Sequence, residues 1–133
     1  MHDRFTARIS ATALFHIAYK QLPKAIQQDF KNSFIKLCSD DTPMVRRMAA
    51  ENFQNLASQL SIQEIQDEFL SPFNKLASDD QDSVRIQAIN ICIAFAESLP
   101  VEFKVSHFLD GLCACFLCAL ACCCDEHLLS EGN

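Results

Sequence analysis

The sequence predicts an all-α protein, an α-α superhelix in which antiparallel helix pairs stack on one another. The main observation is an internal repeat: residues 37–46 (LCSDDTPMVR) return as residues 76–85 (LASDDQDSVR), displaced by 39 positions. A weaker copy lies upstream at a displacement of 38, where Arg8 and Phe15 stand opposite Arg46 and Phe53. A period of about 40 residues is typical of helical-pair solenoids. Glycine is absent from the first 110 residues, which disfavours β-hairpins and phosphate-binding loops.

The first two helices are predicted from apolar residues that recur every three or four positions. One helix covers residues 4–22, and Pro23 ends it. The next covers residues 24–37, where Phe30 and Phe34 lie on the apolar face. These helices are antiparallel neighbours because the connection between them is short.

The third helix is predicted from residue 44 to about residue 60, after a stop-and-restart signal. Thr42 can cap its first turn with the side-chain hydroxyl. Pro43 fits the first helical position, where a backbone N–H is not needed.

Two further helices follow, over about residues 62–76 and 83–99. Pro72 lies inside the first of them and should kink or divide it, since proline removes a backbone hydrogen bond. Before the second, Gln81 takes the place of Thr42, so Asp80 or Asp82 is the better capping residue.

The predicted organisation is therefore a partial array. Residues 1–22 form the second helix of an incomplete repeat, and residues 23–61 and 62–100 form two complete repeats. Residues 101–133 form a divergent, cysteine-rich apolar tail, with room for one further helix. Such repeats bury their apolar faces against their neighbours and expose an extended surface to partners.

Charge and cysteine content narrow the possible surroundings. The net charge of −6 includes no basic patch that would bind nucleic acid or an anionic membrane. No secretory signal opens the chain, and the apolar run in the tail is too short to span a bilayer. Six of the eight cysteines crowd into residues 113–124, unlike a disulfide framework. We expect a reducing, cytoplasmic location, and leave the nucleus open as a second one.

An aspartate precedes an arginine by six positions in each full copy: Asp40 and Arg46, then Asp79 and Arg85. Each aspartate lies in a turn, and each arginine lies in the first turns of the following helix. Stacking equivalent turns should set an aspartate of one repeat near an arginine of the next. The result would be a ladder of charge-assisted hydrogen bonds, to which Arg8 contributes the first arginine.

These same segments carry a family resemblance. The aspartate–arginine spacing and the alanine four residues after Val45 and Val84 resemble HEAT repeats. The wording of residues 37–47, residues 74–85 and the lead-in FTARISA more closely resembles the scaffold (A, structural regulatory) subunits of protein phosphatase type 2A. The resemblance covers about residues 3–100 and implies a non-catalytic scaffold without a cofactor or a metal.

The resemblance also implies a partner and a surface. In that family the turns within repeats form a ridge, and repeats of this kind contact a regulatory (B-type) subunit. The residues that it assigns to the partner surface are Asp41, Thr42, Pro43, Met44, Arg47, Asp80, Gln81, Asp82 and Ser83. Arg46 is assigned to the ladder, because adjacent helical residues point about 100° apart. The sequence departs from the family after Pro100, so binding of the catalytic subunit is not expected.

Alternatives stay open at this point. The chain could be a HEAT-type adaptor of another pathway, or a truncated product without full scaffold activity. Cys113, Cys115, Cys118 and the triplet 122–124 could ligate zinc or accept acyl chains, or could have no function. No nucleophile, phosphate loop or acid pair indicates catalysis.

Overall fold

The computed structural model describes residues 2–98 and 100–102, and it is helical throughout its main elements. Those elements are α1 (His2–Ala18), a 3-10 turn (Tyr19–Gln21), α2 (Lys24–Cys38), α3 (Pro43–Ala57), α4 (Ile62–Glu64), a π-helical turn (Ile65–Phe69), α5 (Leu70–Ala77) and α6 (Asp82–Ser98). No strand occurs within these described residues. The predicted all-α fold class is confirmed.

The predicted helices differ from the observed ones mainly at their ends. The third helix was expected to reach residue 60, but α3 ends at Ala57, because residues 58–60 form a turn. It also begins one residue earlier than predicted, with Pro43 in its first turn. The predictions for residues 103–133, including the cysteine cluster and the additional helix, lie outside the described residues.

Stacking places α3 at the centre of the described fold. Helix α3 packs against α1 on one side and α6 on the other, while α2 packs on α3 and α5 packs on α6. Val45 and Val84 are both fully buried, as are Ala49 and Ala88. These pairs lie 39 residues apart, so equivalent positions in successive layers fill equivalent sites in the core.

Seven ring contacts among phenylalanines link the layers through the core. Phe15 of α1 lies 5.2 Å from Phe34 of α2, between ring centroids. Phe34 lies 5.8 Å from Phe53, and Phe53 lies 5.8 Å from Phe95 of α6. The remaining contacts are Phe15–Phe30, Phe34–Phe69, Phe53–Phe69 and Phe73–Phe95. Several of these pairs are edge-to-face, a favoured geometry for aromatic rings.

Pro72 interrupts the regular helix in the way that proline chemistry requires. Segments α4, the π-helical turn and α5 follow one another without a break, so the chain widens to a π-turn instead of separating into two helices. In the wide turn, the N–H of Leu70 bonds to the carbonyl of Ile65, five residues back. The carbonyl that Pro72 cannot bond belongs to Glu68, which lies inside this turn.

Candidate partner-binding corners

The two corners within helix pairs have the same internal structure. The first corner (residues 39–42) joins α2 to α3, and the second corner (residues 78–81) joins α5 to α6. The N–H of Thr42 donates to Asp40 Oδ1 at 2.9 Å, and the N–H of Gln81 donates to Asp79 Oδ1 at 3.0 Å. An aspartate that accepts the N–H two residues later forms an Asx turn, which explains why both corners carry aspartate at this position.

The predicted helix caps need correction. Thr42 holds the capping position of α3, but its hydroxyl accepts no hydrogen bond from that helix. Instead, Thr42 Oγ1 accepts a bond from Arg8 Nη2 at 3.5 Å. In the second corner Asp82 is already the first residue of α6, and Asp80 pairs with an arginine. The aspartates one turn earlier take over the local backbone bonding.

Charged pairs connect neighbouring repeats along the corners. Arg46 Nε lies 2.7 Å from Asp79 Oδ2, and Arg46 Nη2 lies 3.1 Å from Asp79 Oδ1, so the pair is bidentate. Arg46 Nη2 also lies 3.2 Å from Asp80. Arg8 pairs with Asp40 at 3.4 Å. In both pairs the arginine belongs to the earlier repeat and the aspartate to the later one, the reverse of the predicted order.

Arg85 is placed differently from Arg46. It donates to the carbonyl of Asp79, just as Arg46 donates to the carbonyl of Asp40 at 2.8 Å. Its ion pair, however, is with Asp82 of its own helix. Arg85 Nε is buried and has no hydrogen-bond partner among the described residues. Within that part of the chain, Arg85 therefore makes no link to another repeat.

The ion pair between Arg46 and Asp79 alters the pKa of both groups. The hydrogen bond to Asp79 raises the pKa of Arg46 above its usual value. Burial alone would raise the pKa of Asp79, but the bonds from Arg46 and from the N–H of Gln81 outweigh it and lower that pKa. Both side chains are mostly shielded from solvent, at 14% and 8% exposure. The pair is therefore charged at neutral pH and little screened by water.

The residues assigned to a partner surface lie around these corners. Those that are exposed are Asp41, Pro43, Met44, Asp80, Gln81, Asp82 and Ser83, whereas Thr42 and Arg47 are half-buried. Met44 and Arg47 are three positions apart and so share a face of α3. Met44 is 44% exposed. Arg47 has no hydrogen bond or ion pair with the described residues, in contrast to its neighbour Arg46.

A second polar cluster, which the sequence pattern did not reveal, joins α2 to the following repeat. Lys31 is only 5% exposed. Its ammonium lies 3.1 Å from Glu64 Oε1 and 2.7 Å from Glu68 Oε1. The hydroxyl of Tyr19 donates to Glu64 at 2.7 Å. Lys31 and its carboxylates are more than 30 residues apart in sequence, so no local motif announces them.

Hydrogen bonding determines the charge state of this cluster. Burial by itself would raise the pKa of Glu64, but bonds from the N–H of Ser61, Tyr19 and Lys31 lower it to about 2. Burial and the bond to Glu64 raise the pKa of Tyr19. Burial alone would lower the pKa of Lys31, but the two carboxylates outweigh it and raise that pKa. The cluster therefore contains two carboxylates and one ammonium at neutral pH.

The described part of the chain contains no group of three or more histidine, cysteine or acidic side chains arranged to hold a metal ion. Of the helices in residues 2–98, none has both the length and the apolar character that a bilayer span requires. The chemistry on view is that of a protein-binding surface: aligned corners, fixed ion pairs and exposed side chains.

Comparison with known proteins agrees with this structure. The family model described as HEAT repeat matches residues 30–60, within the stretch interpreted above as the first complete repeat. Over 60 residues the chain is 43% identical to the beta isoform of the 65 kDa regulatory subunit of serine/threonine-protein phosphatase 2A from Homo sapiens, covering 45% of this chain and 10% of that protein.

Relatives from other organisms give the same picture. A probable serine/threonine-protein phosphatase PP2A regulatory subunit of Caenorhabditis elegans is 47% identical over 55 residues, 41% of this chain and 9% of that protein. The protein phosphatase 2A scaffold subunit of Dictyostelium discoideum is 41% identical over 58 residues, 44% of this chain and 10% of that protein. The matches span about a tenth of the length of these relatives. The resemblance is confirmed, and the relatives' names, regulatory or scaffold subunits, agree with the prediction of a regulator rather than an enzyme.

Proposed function

We propose that this chain acts as a non-catalytic scaffold segment of a protein phosphatase type 2A complex and presents its corners to a regulatory (B-type) subunit. The similarity to scaffold and regulatory subunits supports the first half of the proposal. The second half is supported by the separate roles of two adjacent arginines at the first corner.

Arg46 and Arg47 divide the tasks of alignment and recognition. Arg46 is held by Asp79 and by the carbonyl of Asp40, so it orients the two corners relative to each other. Arg47 has no such contact within the described residues, and its guanidinium remains available for a carboxylate of a partner. Arginine favours protein interfaces because its planar group binds carboxylates bidentately.

Exposed apolar and acidic groups complete the proposed surface. Met44 shares the helix face of Arg47, and an unbranched methionine adapts to a partner's shape. Pro43 beside it is rigid and exposed. Asp41 and residues 80–83 add acidic and polar groups at the rim. A surface with an apolar centre and a charged rim resembles known protein interfaces.

A capture experiment tests the proposal. The full 133-residue chain is immobilised and a purified phosphatase type 2A regulatory subunit is passed over it. We expect Arg47→Glu to weaken binding about tenfold, because it replaces a contacting cation with an anion at the rim. Circular dichroism of the variant should be unchanged, since Arg47 makes no polar contact elsewhere in the described fold.

Lys24→Glu is the matched control. It makes the same change in charge at the opposite end of α2, roughly 20 Å of helix from the first corner. This variant should capture the regulatory protein with the affinity of the unaltered chain. Equal losses in both variants, or no loss in Arg47→Glu, would show that the corner is not the contact surface.

A further inference from the structure

A polar groove lies on the edge of the array that is away from the corners. It has a volume of 790 Å³ and runs between the N-terminal half of α2 and the turn that joins α3 to α4. Its lining residues are Tyr19, Lys20, Lys24, Gln27, Gln28, Lys31, Gln59, Leu60, Ser61, Gln63 and Glu64. The corners begin at the other end of α2, so the two surfaces are separate.

The groove follows from the sequence of α2. Lys24, Gln27, Gln28 and Lys31 are spaced by three, one and three residues, which places them in one stripe along the helix. Helices of a stacked array usually pack through apolar stripes. Here the polar stripe faces the neighbouring repeat, which it contacts through hydrogen bonds and ion pairs at Gln28 and Lys31. The space beside these contacts is the groove.

The amide side chains of the groove have fixed orientations. Gln27 Nε2 donates to the carbonyl of Leu22 at 3.0 Å and to that of Tyr19 at 3.3 Å. Gln59 Nε2 donates to the carbonyl of His16. Carbonyl oxygens only accept hydrogen bonds, so each amide must direct its nitrogen inward and keep its oxygen for another donor.

One of these oxygens has an unmet requirement. Gln59 Oε1 is buried and has no hydrogen-bond partner among the described residues. A buried acceptor without a partner costs roughly 1–3 kcal/mol. Because Gln59 lines the groove, a donor group bound there can supply the missing bond.

Charge distinguishes the two ends of the groove. Lys20 and Lys24 are exposed and make no ion pair within the described residues. At the other end, Lys31 is already neutralised by Glu64 and Glu68, which leave that end negative. Anionic groups of a ligand are therefore attracted to the end formed by Lys20 and Lys24.

We propose that this groove binds an extended acidic peptide segment of a partner protein. Carboxylates of the segment pair with Lys20 and Lys24, and a peptide N–H donates to Gln59 Oε1. An extended peptide suits the site because it supplies both groups, whereas a simple anion has no N–H to donate. This inference does not depend on the proposed role of the corners.

Fluorescence anisotropy on the full chain tests the site. The probe is a labelled, glutamate-rich peptide with capped ends, and the comparison peptide has glutamine at every glutamate position. We expect the glutamate peptide to bind more tightly and to lose affinity in high salt, because exposed charges are screened. The double variant Lys20→Glu/Lys24→Glu should weaken binding about tenfold, the result of losing two exposed ion pairs.

Two further variants separate the parts of the proposal. Gln59→Leu removes the acceptor and should weaken binding of both peptides about threefold, since it affects the backbone contact and not the charge. Arg47→Glu, the same charge change at the corner, should leave peptide binding unaltered. Equal affinity for the two peptides, or an unaffected double variant, would overturn the site. A single-stranded oligonucleotide that displaced the peptide at equal concentration would overturn the peptide as its ligand.

Discussion

At the scale of single residues, Lys31 shows how a charged side chain can be built into a helical array. Its ammonium is almost completely buried, yet two carboxylates from the next repeat receive it. Burying an unpaired ammonium would be strongly unfavourable. Glu64 also completes the capping box of α4 with Ser61 and accepts the hydroxyl of Tyr19. One carboxylate thereby joins a helix cap to the contact between repeats.

The low pKa of Glu64 leads to a prediction about acid stability. The pKa is about 2 in the folded chain, against an ordinary value of 4.5. A group with a depressed pKa contributes its full stability above the unfolded value, and loses it as pH falls toward the folded value. The stabilisation from Glu64 is therefore complete above about pH 4.5 and disappears toward pH 2.

Glu64→Gln tests this prediction, because glutamine keeps the shape and one acceptor but cannot ionise. We expect the variant to be less stable by roughly 2 kcal/mol at neutral pH. Its free energy of unfolding should also fall less steeply than that of the unaltered chain as the pH is lowered from 4.5 to 2. Urea titrations followed by circular dichroism at several pH values measure both. Parallel pH curves for the two proteins would contradict the assignment.

At the scale of elements, the ion pair between Arg46 and Asp79 joins α3 to the second corner. Asp79 has two further roles, because it accepts the N–H of Gln81 and its own carbonyl accepts a bond from Arg85. The same aspartate thus shapes its own corner and receives the arginine of the previous repeat. This double role explains why aspartate recurs at Asp40 and Asp79.

Asp79→Ala should destabilise the chain by about 2 kcal/mol, because it leaves the shielded guanidinium of Arg46 with only the exposed Asp80 as a carboxylate partner. The urea midpoint measures the effect. Asp41→Ala is the control: its side chain makes no hydrogen bond or ion pair with the described residues, and its removal should change the midpoint little. Similar midpoints for all three proteins would mean that the ladder does not hold the array.

The elements also show what could be predicted from sequence and what could not. The corners were predictable because their residues recur at a fixed spacing, and a repeated spacing implies a repeated structure. The capping role of Thr42 was wrong because Arg8, 34 residues away, takes its hydroxyl. Lys31 looked like a solvated charge, since lysine is seldom buried. Only the polar stripe of α2 could have indicated its role.

At the scale of the whole molecule, Phe53 is the centre of the aromatic core. Its ring meets Phe34 of the same repeat, and Phe69 and Phe95 of the next. The chain contains one tyrosine and no tryptophan, so phenylalanine carries nearly all of its aromatic packing. Each layer is thereby coupled to the next through the same ring.

Phe53→Ala should cost about 3–5 kcal/mol, the usual range for removing a large buried side chain. That is a large part of the total stability of a small domain. We expect a single unfolding transition at a much lower urea concentration, because the ring lies between layers that unfold together. Leu14→Ala is the control: Leu14 is 59% exposed, and its loss should have little effect. Two separate transitions in the Phe53 variant would contradict coupling through this ring.

The π-helical turn has a consequence for how the array counts its residues. The first residues of α2 and α4, Lys24 and Ile62, are 38 positions apart, but the last residues of α2 and α5, Cys38 and Ala77, are 39 apart. The second repeat thus has one residue more between the same two endpoints. A bond that spans five residues instead of four absorbs that surplus residue locally. Phe73 and the second corner consequently keep the phase of Phe34 and the first corner, and a change in length is confined to one turn.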